Sequence, residues 1–261
     1  MSAHEHNRRA WDAMVHRKQR FARPASDDDF ATTIKELDPR GWLGEVTSKR
    51  VLCLAAGGGR QGPIYAAAGA EVTVVDISAA QLELDREVAV ERGIDLRTVQ
   101  TSMDDLTMFQ LGEFDLVIQP VSTCYVPDIR LTYQQVARVT RVGGIYVSQH
   151  KQPTSLQSGT QSSTSGYEVA TPYYQEDPLP PVAGSLHREE GTLEFLHRWE
   201  QLIGSMCQSG FVVEDLSEPL HAKPGASLNS FAHRSQFIPP YVRIKARRVG
   251  EQESNRSPIV F

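Results

Sequence analysis

One stretch limits the possible folds more than any other. The apolar run Val51-Leu52-Cys53-Leu54 passes through Ala55-Ala56 into three glycines, Gly57-Gly58-Gly59, and an alanine-rich helical segment follows as far as Ala70. Glycine permits positive φ and lets a ligand approach the backbone closely. The helix beyond it offers free N–H groups and the positive end of its dipole. A second apolar run, Glu71-Val72-Thr73-Val74-Val75, then ends in Asp76, nineteen positions after Gly57. This is one strand–helix–strand unit. Its spacing sets a carboxylate beside the glycine turn, where it can hold the two hydroxyls of a ribose. The pattern reads as a site for an adenosine-containing cofactor.

The rest of the chain continues the alternation. Strands are expected over 49–55, 71–76, 97–100, 114–118 and 145–148, with helices over 62–70, 79–92 and 130–141, the last ended by Gly143-Gly144. Alternating strands and helices imply a parallel sheet with helices on both faces. Ahead of this core, 4–23 reads as a helix with Trp11, Met14 and Val15 on one side and arginines on the other, and Ser26 or a neighbouring Asp caps a short second helix. After His150 the regularity stops: 153–166 is rich in Ser, Thr, Gln and Gly, and 172–184 in Pro and Tyr. Loops of that length inside a domain are functional or disordered. A helix over 193–209 and strands over 211–216 and 241–247 complete the pattern, and the tail from Gly250 is expected to be disordered.

Composition narrows the function classes. With 261 residues the chain has room for one large α/β domain or two small ones. A net charge of −5 argues against a broad nucleic-acid footprint. No apolar stretch approaches the ~18–20 residues that span a bilayer. The basic, polar N-terminus lacks the apolar core of a signal peptide. Cys53, Cys124 and Cys207 lie far apart without zinc or redox spacing, so reduced thiols and a cytoplasmic location are expected. No ligand cluster for a metal is visible.

Four features together resemble the class I, Rossmann-like S-adenosylmethionine-dependent methyltransferases over about 49–248: the glycine turn; Val74-Val75-Asp76-Ile77-Ser78 with Gln81-Leu82; Gly112-Glu113-Phe114-Asp115-Leu116-Val117-Ile118 entering a polar loop; and Arg141-Val142-Gly143-Gly144 before a strand ending in Ser148-Gln149-His150. The resemblance implies a doubly wound, mostly parallel seven-stranded sheet with an antiparallel last strand. It divides the chain into N-terminal capping helices (1–48) and a methyltransferase domain (49–261), with a lid-like insertion at about 151–197 overlooking the substrate. It implies S-adenosyl-L-methionine as cofactor. Ala55, Gly57, Gly58 and Gly59 would lie against the methionine part, Asp76 would bind the ribose hydroxyls, and Ile77 would lie against the adenine. Ser102, Met103 and Asp104 would recognise the adenine edge, and Gln119 and Pro120 would face the sulfonium. Trp11 would cover the site. The sequence departs from the family where its usual first-strand acid is Cys53, its first glycine is Ala55, and its adenine-binding Asp is Ser102.

The expected reaction is methyl transfer to a small-molecule acceptor by in-line displacement. His150, at a strand end, is the leading candidate base, with His187, His197 and His233 as alternatives. Tyr125, Tyr173 and Tyr174 are candidate substrate contacts. Two other readings stay open at this point. The Gly57, Gly59, Gly62 spacing also suits a nicotinamide-dependent oxidoreductase, although Tyr146 is followed four positions later by His150 rather than Lys. A non-catalytic S-adenosylmethionine-binding protein is the third. The oligomeric state is not legible.

Overall fold

The computed structural model describes residues 1–19, 22–32, 37–163, 165–183 and 185–249. Its centre is a seven-stranded sheet in the order β3-β2-β1-β4-β5-β9-β8. The strands are β1 Arg50–Leu54, β2 Glu71–Asp76, β3 Arg97–Gln100, β4 Phe114–Gln119, β5 Thr140–Lys151, β8 Phe211–Ser217 and β9 Tyr241–Arg248. The first five pair in parallel. Only β9 runs against its neighbours, antiparallel to both β5 and β8. A separate hairpin pairs β6 Ser158–Ser162 with β7 Tyr167–Val169.

Strand β1 shows why the sheet is clad on both faces. Val51 and Cys53 join Val72, Val74, Leu116, Ile118, Tyr65 and Leu82 on one side. Leu52 and Leu54 join Val117, Tyr146, Tyr133, Leu202 and Phe211 on the other. A central parallel strand therefore reads as an unbroken apolar run. Burial on this scale raises the Cys53 thiol pKa and leaves it an inert core residue.

The helices begin and end for identifiable reasons. Helix α1, Ala3–His16, is capped by Ser2 Oγ, which accepts from the Glu5 N–H. In α2, Asp27–Thr32, Ser26 Oγ accepts from the Asp29 N–H while the Ser26 N–H donates to the Asp29 carboxylate, a capping box. Helix α3 is Gln61–Ala67. Helix α4, Ala79–Arg92, starts at Ser78 and ends at Gly93 in the left-handed conformation. Helix α5, Ile129–Val139, buries Ile129, Thr132, Tyr133, Val136 and Ala137, the i, i+3, i+4 stripe of an amphipathic helix.

Several boundaries differ from expectation. Helix α1 ends at His16, not near residue 23. Helix α5 stops at Val139, and Gly143-Gly144 shapes the entry of β5 instead of ending the helix: Gly143 has φ +80, and a Cβ on Gly144 would sit 2.8 Å from the Arg141 carbonyl oxygen. The expected helix over 193–209 is helical only from a π-turn at Glu200–Gly204 through α7, Ser205–Gln208. Its first part is extended because its backbone is bonded elsewhere, the Phe195 N–H to the Cys124 carbonyl and the Leu179 N–H to the Glu194 carbonyl. Cys207 is exposed, unlike the other two cysteines. The insertion is not structureless: it holds the short helix α6, Pro153–Gln157, and the β6/β7 hairpin. Buried Arg234, at the end of α8, Phe231–Arg234, donates to the carbonyls of Ser155, Ser158 and Gly159 and anchors that hairpin. The tail from Gly250 lies outside the described residues. No helix among those described is long and apolar enough to cross a membrane.

Gly59 is the fold's most demanding glycine. Its φ is +73, and an added Cβ would meet the Leu84 carbonyl oxygen at 2.9 Å and Val88 Cγ2 at 3.1 Å. Gly59→Ala should therefore combine left-handed strain with overpacking and destabilise by about 2–4 kcal/mol. The check is the midpoint of urea unfolding, and an unchanged midpoint would contradict this reading of the turn.

Candidate active site

The carboxyl ends of β1, β2 and β4 open into a cavity of about 700 Å³, roofed by α1 and the start of α2. That lies within the about 300–1,000 Å³ of small-molecule pockets. Of the residues the sequence singles out, Ala55, Gly57, Gly58, Asp76, Ile77, Ser102, Met103, Pro120, Trp11 and Tyr125 line it.

Asp76 ends β2 and turns back onto the glycine loop. Its Oδ2 accepts from the Gly57 N–H at 3.0 Å and its Oδ1 from the Ser78 N–H at 2.9 Å. Each carboxylate oxygen keeps a free lone pair, so two hydroxyls can still donate to it. A Cβ on Gly57 would lie 2.8 Å from Gln81 Cβ and 3.1 Å from Asp76 Oδ2, so only glycine leaves the turn this close to the acid. Ala55 holds φ +49, the left-handed conformation that a glycine would adopt without strain.

A second acid, which sequence reasoning missed, supports the turn from behind. Asp85 on α4 is fully buried, and its Oδ2 accepts from the Gly58 N–H at 3.0 Å, while among the described residues Oδ1 has no hydrogen-bond partner. Its signal was present in the sequence, because Asp85 lies on the Leu82–Val88–Ala89 stripe that marks the helix's inward face. Burial raises both acids, Asp76 to about 6 and Asp85 to about 7; the loop N–H groups pull the other way.

The two raised acids predict opposite pH trends. A ligand whose hydroxyls donate to Asp76 needs the carboxylate, so the affinity for adenosine should be flat above pH 7 and fall roughly tenfold by pH 5. Isothermal titration at the two pH values tests this, and equal affinities would contradict it. For folding the sign reverses. A carboxyl whose native pKa is raised contributes stability below its unfolded value, and that contribution is lost as pH rises through the native value. Asp85→Asn should therefore gain stability relative to wild type between pH 5 and pH 8, measured by thermal unfolding.

Helix α1 is pinned over the cavity by Asn7, Asp12 and His4. Asn7 donates to the carbonyls of Tyr125 at 2.9 Å and Leu193 at 3.0 Å and accepts from the Leu193 N–H at 2.7 Å. Asp12 Oδ1 accepts from Ser78 Oγ at 2.6 Å, joining the cap of α4. His4 Nε2 lies 2.9 Å from Asp104 Oδ2. Trp11 stands edge-on to Tyr125 with ring centroids 5.4 Å apart.

Other expected residues lie elsewhere. Gly59 sits behind the turn, its carbonyl accepting from the Ala25 N–H. Asp104 is off the cavity wall, held by His4. Gln119 is buried beneath it, bonded to Tyr146 Oη and to Ser122 Oγ. Tyr173 accepts from the Trp199 N–H, and Tyr174 is 75% exposed beneath Arg198. Neither tyrosine lines the cavity.

His150 requires a correction. It is fully buried, with Nδ1 2.8 Å from Thr123 Oγ1 and Nε2 2.7 Å from Ser148 Oγ. The reason is packing on the face of β5, where Thr123, Tyr133 and His197 surround the imidazole and keep it from the crevice. Burial, aided by His197, depresses its pKa to about 3 and keeps it neutral. His187, His197 and His233 also lie away from the cavity: His187 stacks on Phe231, His197 meets the carbonyls of Thr123 and Val126, and His233 contacts Tyr167 Oη. Among the described residues His4 is the histidine on the cavity wall.

Behind Tyr125 lies a buried charge cluster that the sequence did not announce. Lys151 Nζ is 2.5 Å from Glu189 Oε2 and 2.9 Å from Glu194 Oε1, and Arg188 Nε is 2.8 Å from Glu194 Oε2. Tyr125 Oη donates to Glu189 Oε2 at 2.6 Å. The inserted segment thus fixes a cavity-wall residue from outside the cavity. Among the described residues no group of three or more His, Cys, Asp or Glu could hold a metal ion.

Residues 52–148 match the family described as "Methyltransferase domain". The chain is 32% identical over 243 residues to the "Uncharacterized methyltransferase YbaJ" of Bacillus subtilis, covering 87% of this chain and 94% of that protein. Among solved structures, an S-adenosylmethionine-dependent methyltransferase from Mesorhizobium loti superposes with a TM-score of 0.66 at 18% identity, covering 84% of this chain and all of the other. Geranyl diphosphate C-methyltransferase from Streptomyces coelicolor, solved with Mg2+, geranyl diphosphate and S-adenosyl-L-homocysteine, superposes with a TM-score of 0.63 at 18% identity, covering 95% and 99% of the two chains.

Proposed function

This chain belongs to the methyltransferases, and from that premise we propose that its cavity binds S-adenosylmethionine and transfers the methyl group to a small-molecule acceptor by in-line displacement. The cofactor, when bound, supplies a methyl carbon already activated by a sulfonium. The residues present fit it: Gly57 leaves room where a Cβ would intrude, and Asp76 keeps one lone pair per oxygen for the ribose. That carboxylate beside the glycine turn is the observation that carries the reading.

In this reading Asp76 holds the ribose, Ile77 packs on the adenine, and Ser102 and Met103 form the adenine edge. His4, held by Asp104 next to Met103, stands at the adenine end and takes no proton from the acceptor. Gly57, Gly58 and Ala55 border the methionine part. Pro120, Val121 and Ser122 border the reacting end, and Trp11 with Tyr125 forms an aromatic wall for the acceptor. None of these reacting-end groups is a ready base at neutral pH; burial and Glu189 drive the Tyr125 phenol well above its ordinary range. The acceptor therefore brings its own competent nucleophile, and the chain contributes alignment. The 151–197 segment acts on acceptor choice through Tyr125.

Incubation with S-adenosylmethionine labelled in the methyl group tests the proposal. Extract split into a low-mass filtrate, a protein fraction and a nucleic-acid fraction supplies the acceptors. Label should appear in the low-mass filtrate. Label confined to protein or nucleic acid would overturn the small-molecule reading.

A further inference from the structure

We propose that a recess beside the main cavity, walled by Arg243, is a subsite for a carboxylate on the methyl acceptor; this rests on the reading of the main cavity as the methyl-transfer site. The recess measures about 60 Å³ and lies between the 37–42 segment and the carboxyl halves of β4 and β5. Gln61 and Pro120 line both spaces, so the recess adjoins the cavity at the end assigned to the reacting group. Its size suits one small planar group and excludes a ring.

Arg243 is the unusual feature. It sits on β9 opposite Gln149 of β5, and its Nε donates to Gln149 Oε1 at 2.7 Å. Among the described residues the guanidinium makes no ion pair and no other hydrogen bond. The other cations of the strand are engaged: Lys245 and Arg247 both pair with Glu214, and Arg248 donates to the carbonyls of Ala137 and Gly210. Arg40, in the same recess, pairs with Asp215 at 3.1 Å. The recess holds one carboxylate, Asp38, whose oxygens accept the N–H groups of Trp42 at 2.9 Å and Leu43 at 2.8 Å. Burial lowers the Arg243 pKa, while the nearby Tyr65 and Asp38 pull the other way without forming an ion pair or hydrogen bond to the guanidinium among the described residues. Its two free terminal amino groups form a fork that matches a carboxylate in bidentate geometry.

The acceptor is thus a small acid, its carboxylate on Arg243 and its methylated atom at Pro120.

The test uses protein labelled with 15N-arginine and saturated with S-adenosylhomocysteine, at constant ionic strength. The Arg243 Nε–Hε resonance is assigned by its loss in Arg243→Lys. Acetate and benzoate should shift that resonance saturably, with dissociation constants on the order of millimolar for such small ligands, while acetamide and benzamide leave it unmoved. Arg243→Gln should bind S-adenosylhomocysteine within about twofold of wild type but benzoate at least about tenfold more weakly. Should Arg243→Gln fail to fold, Arg243→Lys, which keeps the charge and loses the fork, should still weaken benzoate binding severalfold. An unmoved resonance, or equal benzoate affinity in wild type and variants, would overturn the subsite while leaving the cofactor reading intact. Preference for methyl phosphate over both carboxylates would overturn the carboxylate assignment. Failure of S-adenosylhomocysteine to bind at all would remove the cofactor reading, and the subsite with it.

Discussion

Asp76→Ala should weaken S-adenosylhomocysteine binding by about 100-fold or more without unfolding the protein. Two hydroxyls donating to an ionised acceptor contribute about 1.5–3 kcal/mol each, and 1.4 kcal/mol is a tenfold change in affinity. The same carboxylate holds the Gly57 and Ser78 N–H groups, so its removal also loosens the turn that faces the ligand. Asp76→Asn keeps one acceptor oxygen without the charge, and its loss should be smaller, roughly tenfold. Isothermal titration measures both, alongside the thermal midpoint of each unliganded variant. A change below threefold in the alanine variant would mean that Asp76 serves only as a backbone brace.

The largest expected stability effect lies outside the cavity. Glu194 is fully buried and faces two cations, Lys151 at 2.9 Å and Arg188 at 2.8 Å. Glu194→Gln leaves those charges short of a counter-charge in the interior, and breaking a buried pair in this way costs about 3–5 kcal/mol. In a chain this long each kcal/mol moves the melting temperature by about 2–4 °C, so a drop of roughly 6–20 °C is expected. The double replacement Lys151→Met with Glu194→Leu removes a positive and a negative charge together and should recover part of the loss. A Glu194→Gln variant as stable as wild type would show that the cluster carries little of the fold's stability. The cluster also changes how the insertion is best probed. Deleting 151–197 would strip Lys151 itself and its counter-charges as well as any acceptor contact. Single substitutions at Glu189 separate the two roles, because Glu189 is the carboxylate that reaches Tyr125.

The parallel core was legible because its signals are local. Apolar runs, Ser78 and Gly93 as helix boundaries, and the acid nineteen positions from Gly57 each follow from neighbours along the chain. That Gly57, Gly58 and Asp76 share one cavity wall followed for the same reason, since a single strand–helix–strand unit brings them together. What stayed illegible depends on partners distant in sequence. His150 looked like an exposed strand end until Thr123, Tyr133 and His197, brought in from other elements, surrounded it. The segment over 193–198 has helical composition, but Cys124 and Leu179 hold its backbone extended. Tyr173 and Tyr174 sit in a loop whose position no periodicity encodes. The Lys151–Glu189–Glu194 cluster was hidden because its members are ordinary charged residues until the chain brings them together. Asp85 was readable, since an acid on the inward stripe of a helix needs a donor, here the Gly58 N–H.

The most direct test of the account is isothermal titration of the purified protein with S-adenosylhomocysteine, and separately with NAD. One saturable site for S-adenosylhomocysteine is expected, strongly weakened in Asp76→Ala, with no binding of NAD. Binding of NAD in place of S-adenosylhomocysteine, or S-adenosylhomocysteine binding indifferent to Asp76, would contradict it.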